Sequence, residues 1–179
     1  MERKLELKDI AGYLPHGLKI DLAQKSEYLG IKTVTGANVD KNTINKFRDG
    51  ITVWCYGSGY NEKVFQFKPI LRPLSDLSRT ITYNGKEIVP IVELAKIVCL
   101  DIDEYKIEIY PQRLSTPNYL FGFNRNSFYI LVRKTGNNIF YENQYQLFDY
   151  LHELKIDYRG LIDAGLAVDV NTLEVNPYK

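Results

Sequence analysis

Apolar and polar positions alternate along this chain with two different periods, and short turns separate them. Leu7, Ile10, Ala11 and Leu14 fall on one face of a short helix, which Pro15 and Gly17 stop. Residues 19–22 and 28–34 then read as short strands. Gly36-Ala37-Asn38 and residues 40–45 read as a polar connection. Residues 51–56 are β-branched and aromatic, Gly57-Ser58-Gly59 follows, and residues 64–67 complete a hairpin pattern. Pro69 and Pro73 flank Ile70-Leu71-Arg72 and argue against a central strand there. Ser75-Asp76 marks a turn or a short helix start.

The clearest hairpin is residues 80–83, Asn84-Gly85, then 87–89, because a two-residue type I′ turn needs positive φ at both positions. Pro90 suits the first turn of a helix, and Ile91, Leu94, Ala95 and Val98 give its apolar stripe to about residue 99. Residues 106–110 alternate charged and apolar, as a half-buried strand does. Residues 111–117 read as a loop, 119–123 and 127–133 as strands, and Gly136-Asn137-Asn138 as a turn. A helix is expected over 144–154, capped by Asn143 with Gln146 in the capping-box position. Leu147, Tyr150, Leu151 and Leu154 form its stripe. Asp157 is read as the cap of a second short helix through Ala164, ended by Gly165. Residues 167–170 read as a last strand, with Asp169 at its polar position.

Helices and strands are interspersed without a regular βαβ rhythm, so the pattern predicts an α+β fold. Antiparallel sheet elements would pack against helices near 7–14, 90–99 and 143–165. No internal repeat, low-complexity tract or linker divides the chain, and one domain over 1–179 is expected. A chain of 179 residues buries roughly 70% of its unfolded surface and needs neither disulfide nor metal to fold. Cys55 and Cys99 belong to no close pair and sit among apolar or aromatic neighbours, which suggests buried hydrophobes in a reducing compartment. No secretory h-region opens the sequence and no apolar run approaches a membrane span. The default is a soluble cytoplasmic protein.

Three segments carry a resemblance. They are Leu7-Lys8-Asp9-Ile10-Ala11-Gly12-Tyr13-Leu14-Pro15-His16-Gly17-Leu18-Lys19, Lys68-Pro69-Ile70-Leu71-Arg72-Pro73-Leu74-Ser75-Asp76-Leu77, and Tyr158-Arg159-Gly160-Leu161-Ile162-Asp163-Ala164-Gly165-Leu166-Ala167. In this order and at these distances they resemble an uncharacterised family of small proteins encoded by phages, prophages and other mobile elements of gut-type bacteria. His16 stands where the family pattern often has Tyr, and Asp163-Ala164 where Glu-Lys is common. The resemblance implies a bacterial cytoplasm and a mobile element. It carries no activity, cofactor or catalytic residue.

The chain holds 14 Tyr and 8 Phe but only 2 His and 2 Cys, a composition poor in catalytic side chains. His16 and His152 are paired by no motif with a cysteine or a carboxylate. The acidic run Asp101, Asp103 and Glu104 lacks the spacing of a calcium loop and reads as a solvated loop. Gly57-Ser58-Gly59 is neither a phosphate loop nor a nucleophile elbow. Catalytic residues, cofactor and metal are therefore expected to be none, and the reading leans away from an enzyme.

Aromatic and basic residues interleave at Lys63, Lys68 and Arg72, and again at Phe121, Arg125, Phe128 and Arg133. That is the composition of a platform for single-stranded nucleic acid. It is equally what an antiparallel sheet turns toward its core. The net charge of +1 favours the core and makes any nucleic-acid binding weak and salt-sensitive. The first expectation is a non-enzymatic accessory protein that binds a host or phage protein. Tyr56 and Tyr60, beside the Gly57-Ser58-Gly59 turn, are its candidate contact pair. A nucleic-acid-binding accessory protein is the alternative, and an enzyme of unrecognised class the third.

Overall fold

The computed structural model describes residues 3–22, 30–40, 50–56, 61–64, 67–98, 102, 106–124, 127–140 and 144–179, with backbone alone at 38–40, 50, 56, 61–64 and 138–140. In chain order these form α1 (Leu7–Ile10), β1 (Lys19–Asp21), β2 (Ile31–Asp40), β3 (Gly50–Tyr56), β4 (Asn61–Val64), β5 (Lys68–Pro73), β6 (Ile81–Tyr83) and β7 (Lys86–Ile88). There follow α2 (Pro90–Ile97), β8 (Glu108–Tyr110), β9 (Arg113–Ser115), β10 (Tyr119–Asn124), β11 (Ser127–Val132), β12 (Asn137–Phe140), α3 (Tyr145–Glu153), β13 (Ile156–Asp157) and β14 (Val168–Asp169). The fold is α+β, and the sheets are mainly antiparallel. The chain has no linker, yet its contacts group into two compact units. One is Met1–Arg72 with Arg159–Pro177; the other is Pro73–Tyr158 with Tyr178–Lys179.

The first unit begins with a capped turn of helix. The Glu6 N–H donates to Asp9 Oδ2 at 2.9 Å, and the Glu6 side chain accepts from the Asp9 backbone. Arg3 Nη2 donates to the other Asp9 oxygen at 3.1 Å, and Arg3 Nη1 to the Arg159 carbonyl at 3.2 Å. After Ile10 the helix tightens to a 3-10 helix, Ala11–His16, and Gly17 closes it at φ +70°. The tightening corrects the expected α stripe. With three residues per turn, Tyr13 follows Ile10 into the interior and Ala11 turns outward.

The sheet of this unit runs β4-β3-β2-β1-β5-β14, antiparallel except for β5 with β14. Gly36-Ala37-Asn38 is strand, not connection. The β2–β3 register shifts between Val34 and Gly36, and Gly36 lies against the Trp54 ring. Pro69 and Pro73 did not prevent a paired strand. They stand near the ends of β5, where a missing N–H interrupts little, and Ile70-Leu71 between them pairs with Val168-Asp169. The second short helix expected from Asp157 to Ala164 is absent. Asp157 is buried in β13, and the following residues form turns through Gly160 and Gly165, both at positive φ. The Asp169 side chain caps the 3-10 helix Val170–Thr172 by accepting from the Asn171 N–H at 2.8 Å.

The second unit holds the Asn84-Gly85 hairpin with φ of +49° and +74°, as a type I′ turn requires. Pro90 opens α2, whose Ile91, Leu94, Ala95 and Val98 are all buried. The main sheet of this unit runs β12-β11-β10-β9-β8, antiparallel throughout. Its inner face presents Leu114, Phe121, Phe123, Phe128 and Ile130 to α2 and to Leu147, Leu151 and Leu154 of the α3 region. Gln144, not Asn143, is the N-cap of α3; Asn143 lies outside the described residues. The Gln144 amide clasps Phe128, accepting from its N–H at 2.8 Å and donating to its carbonyl at 3.4 Å. This ties α3 to the start of β11.

Two expectations on this sheet are corrected. Residues 111–117 contain β9, and Pro111-Gln112 alone makes the turn, with Gln112 at φ +58°. The strand after Lys106 is not half-buried. β8 ends the sheet and is exposed at all three residues. Asn137 and Asn138, expected in a turn, lie in β12.

Candidate functional site

A cleft of about 430 Å³ opens beside β8, lined by Lys106, Ile107, Glu108, Ser115, Thr116, Pro117 and Arg133. Its floor is the turn from β9 to β10. The Thr116 N–H donates to the Tyr119 carbonyl at 2.8 Å, and the Thr116 hydroxyl accepts from the Tyr119 N–H at 2.9 Å. Arg133, just past β11, clamps this turn. Its N–H donates to the Asn118 carbonyl at 2.9 Å, Nε to the Thr116 carbonyl at 3.0 Å, and Nη2 to Ser115 Oγ at 2.7 Å. These acceptors are all neutral oxygens. The half-buried guanidinium therefore keeps its charge without a carboxylate partner among the described residues.

The edge strand stands next to this cleft. Thr116 N–H to Tyr119 O and Phe123 N–H to Gln112 O show which backbone groups of the β9 strand and its turn face β10. In an antiparallel ladder the hydrogen-bonding direction alternates residue by residue. Arg113 and Ser115 thus turn their backbone groups toward Tyr110 and Glu108, and the N–H and C=O of Ile109 face away from the sheet. The Ile109 and Tyr110 side chains are 38% and 39% exposed. The Tyr110 hydroxyl donates to Glu108 Oε2 at 2.6 Å, and the Arg113 guanidinium lies 4.8 Å from the Tyr110 ring centre. The bond to the Glu108 carboxylate raises the Tyr110 pKa above the usual phenol value, with Arg113 and Arg133 opposing it weakly.

The residues singled out from sequence scatter. Phe121 and Phe128 do not form a stacking platform; both are fully buried, stacked at 5.8 Å with 7° between their planes. Alternation along β10 and β11 turns them to the inner face. Arg72 is 2% exposed and unavailable to a nucleic-acid backbone. Lys68 is half-buried in β5 of the first unit. Arg133 alone of that set reaches the cleft. The backbone of Tyr56 ends β3 opposite Asn61, and the Lys63 backbone pairs with Trp54. The side chains of Tyr56 and Lys63, and the whole of Tyr60 and Arg125, lie outside the described residues, as do Cys99, Asp101, Asp103, Glu104 and the Gly57-Ser58-Gly59 turn.

Cys55 is buried in β3. His152 Nε2 lies 2.9 Å from the Tyr158 hydroxyl, inside an aromatic group with Phe148. Among the described residues no group of three or more His, Cys, Asp and Glu could hold a metal ion, and no helix is long and apolar enough to cross a membrane. Compared with protein-family models, curated proteins and solved structures, the chain matches none.

Lys106, Ile109, Tyr110, Ser115 and Thr116 were missed by sequence reasoning as site residues. The signal was the alternation of 106–110 running directly into Pro111, which marks a strand followed by a tight turn. Which edge of which sheet that strand would occupy is not a local property.

Proposed function

We propose that the protein is a non-enzymatic accessory protein of a phage or other bacterial mobile element, and that it works by binding another protein at the β8 edge. The mobile-element part of this reading rests on the resemblance carried by the three sequence segments. The binding part rests on one observation: β8 ends its sheet with every residue exposed and with the Ile109 backbone turned outward. An open edge offers main-chain donors and acceptors to a partner strand, and the side chains beside it supply selectivity. Proteins without such a partner shield their edges with charge, proline or a covering element. Here the edge carries an exposed Ile109 next to an exposed Tyr110, a residue pair with large contact area and a polar tip.

The test is Ile109→Pro. Because the Ile109 N–H faces outward, proline there leaves the β8–β9 ladder intact and removes only the donor a partner strand would use. Bacterial lysate is passed over immobilised wild type, Ile109→Pro and Val175→Lys, a control at a 74% exposed position in the first unit. A partner held by wild type and control but not by Ile109→Pro is the expected result. Equal capture by all three would place the contact elsewhere.

A further inference from the structure

We infer that the segment β8 receives is acidic, and that one of its carboxylates is taken by Arg133 in the adjoining cleft. This rests on the edge-strand reading above and adds the chemistry of the partner. Three cations, Lys106, Arg113 and Arg133, surround β8 and its cleft, against the single carboxylate of Glu108. That carboxylate is already engaged by the Tyr110 hydroxyl. The Arg133 guanidinium is held rigidly by Thr116 and Ser115, both neutral acceptors, and its charge is left unneutralised. A half-buried, pre-oriented guanidinium of this kind favours a planar carboxylate. Ser115 accepts from Arg133 and keeps its own hydroxyl hydrogen to donate, so it supplies a second bond to the same anion.

Geometry decides which part of the partner arrives there. An added strand lies one spacing, about 4.8 Å, outside β8 and two spacings from β9. A backbone group of that strand is spent on Ile109. A long acidic side chain, Glu better than Asp, is what crosses to the Ser115–Arg133 pair. Glu108 and Tyr110 share the outer face with Ser115, because Glu108 pairs with Ser115 and Tyr110 with Arg113. The carboxylate must therefore come from the partner residues that point to this face.

The experiment uses a displayed library of random peptides, selected on the full-length wild type, Ile109→Pro, Lys106→Glu and Arg133→Gln. Wild type should enrich extended peptides with Glu recurring at one position. A selected peptide should bind about tenfold more weakly after its Glu is changed to Gln. That difference should vanish against Arg133→Gln, and Lys106→Glu should shift the selection away from acidic peptides. Lys106 is exposed, so its variant keeps the test sharp if Arg133→Gln loosens the turn. Peptides that require the Ile109 edge but show no acid preference would overturn this inference and leave the edge reading standing. No selected peptide, or peptides indifferent to Ile109→Pro, would overturn both. An Arg133-dependent affinity for a single-stranded oligonucleotide, with no acidic peptide retained, would assign the cation to phosphates instead.

Discussion

Replacing Phe128 with Ala should remove about 3–5 kcal/mol from the stability of the second unit. The ring is fully buried and lies 5.8 Å from Phe121, 4.9 Å from Phe123 and 5.5 Å from Phe148, centre to centre. Burial of one Phe contributes about 1.5–3 kcal/mol, and each well-oriented ring pair about 0.5–1.5 kcal/mol more. The pair contributions do not add in full, because Phe123 and Phe148 close part of the cavity once the ring is gone. The assay is urea unfolding followed by far-UV circular dichroism. Trp54, the one Trp of the chain, lies in the first unit. Its fluorescence therefore reports on the first unit while circular dichroism reports on the whole chain. The dichroism transition should move to lower urea. A loss under about 1 kcal/mol would refute the packing argument, since exposed aromatics tolerate truncation at about that level. It would also return Phe128 to the list of rings available for stacking.

Two further outcomes are expected. A Cβ built on Gly122 would stand 2.7 Å from the Tyr129 hydroxyl and 2.9 Å from Cζ; Gly122→Ala should lower the urea midpoint in wild type but not in a Tyr129→Ala background, and equal effects in both would show that the ring is not the obstacle. Burial, then the nearby Glu93 and Glu153 carboxylates, raises the Tyr150 pKa well above the usual phenol value; this group's contribution is complete below about pH 10 and is lost as pH rises toward the folded-state value, because the unfolded chain gives up its proton first. Tyr150→Phe should therefore flatten the fall of the urea midpoint above about pH 10, and identical pH profiles for the two proteins would contradict that.

Local grammar was legible wherever one or two residues decide a backbone state. Asn84-Gly85 and Pro90 placed a hairpin and a helix start, and the stripes Ile91–Leu94–Ala95 and Leu147–Leu151–Leu154 named buried faces. What failed depended on distant partners. Pro69 and Pro73 look like breakers until Val168-Asp169 arrives to pair between them. Asp157 looks like a cap until its segment is placed inside. The interleaved aromatics and cations around Phe121 and Phe128 fit a core or a surface equally well, and only the order of strands assigns their face. The cleft was the least legible part. It is assembled from Lys106, Ser115 and Arg133 on separate segments, and of these only Arg133 carried a sequence signal.

The nesting of one unit's sequence inside the other sets a schedule for synthesis. Pro73–Tyr158 is continuous, whereas the first unit is split and needs Arg159–Pro177. On the ribosome the inner unit can therefore finish before the outer one that began earlier. Translation at about 5–20 residues per second holds β5 without β14 for on the order of seconds, because Val168 is made about a hundred residues after its partner Ile70. Arg3 likewise waits for the Arg159 carbonyl. The last stretch of the chain thus works as a clasp on its own beginning, and trigger factors or proteases acting on the nascent chain would meet the outer unit while that clasp is still open.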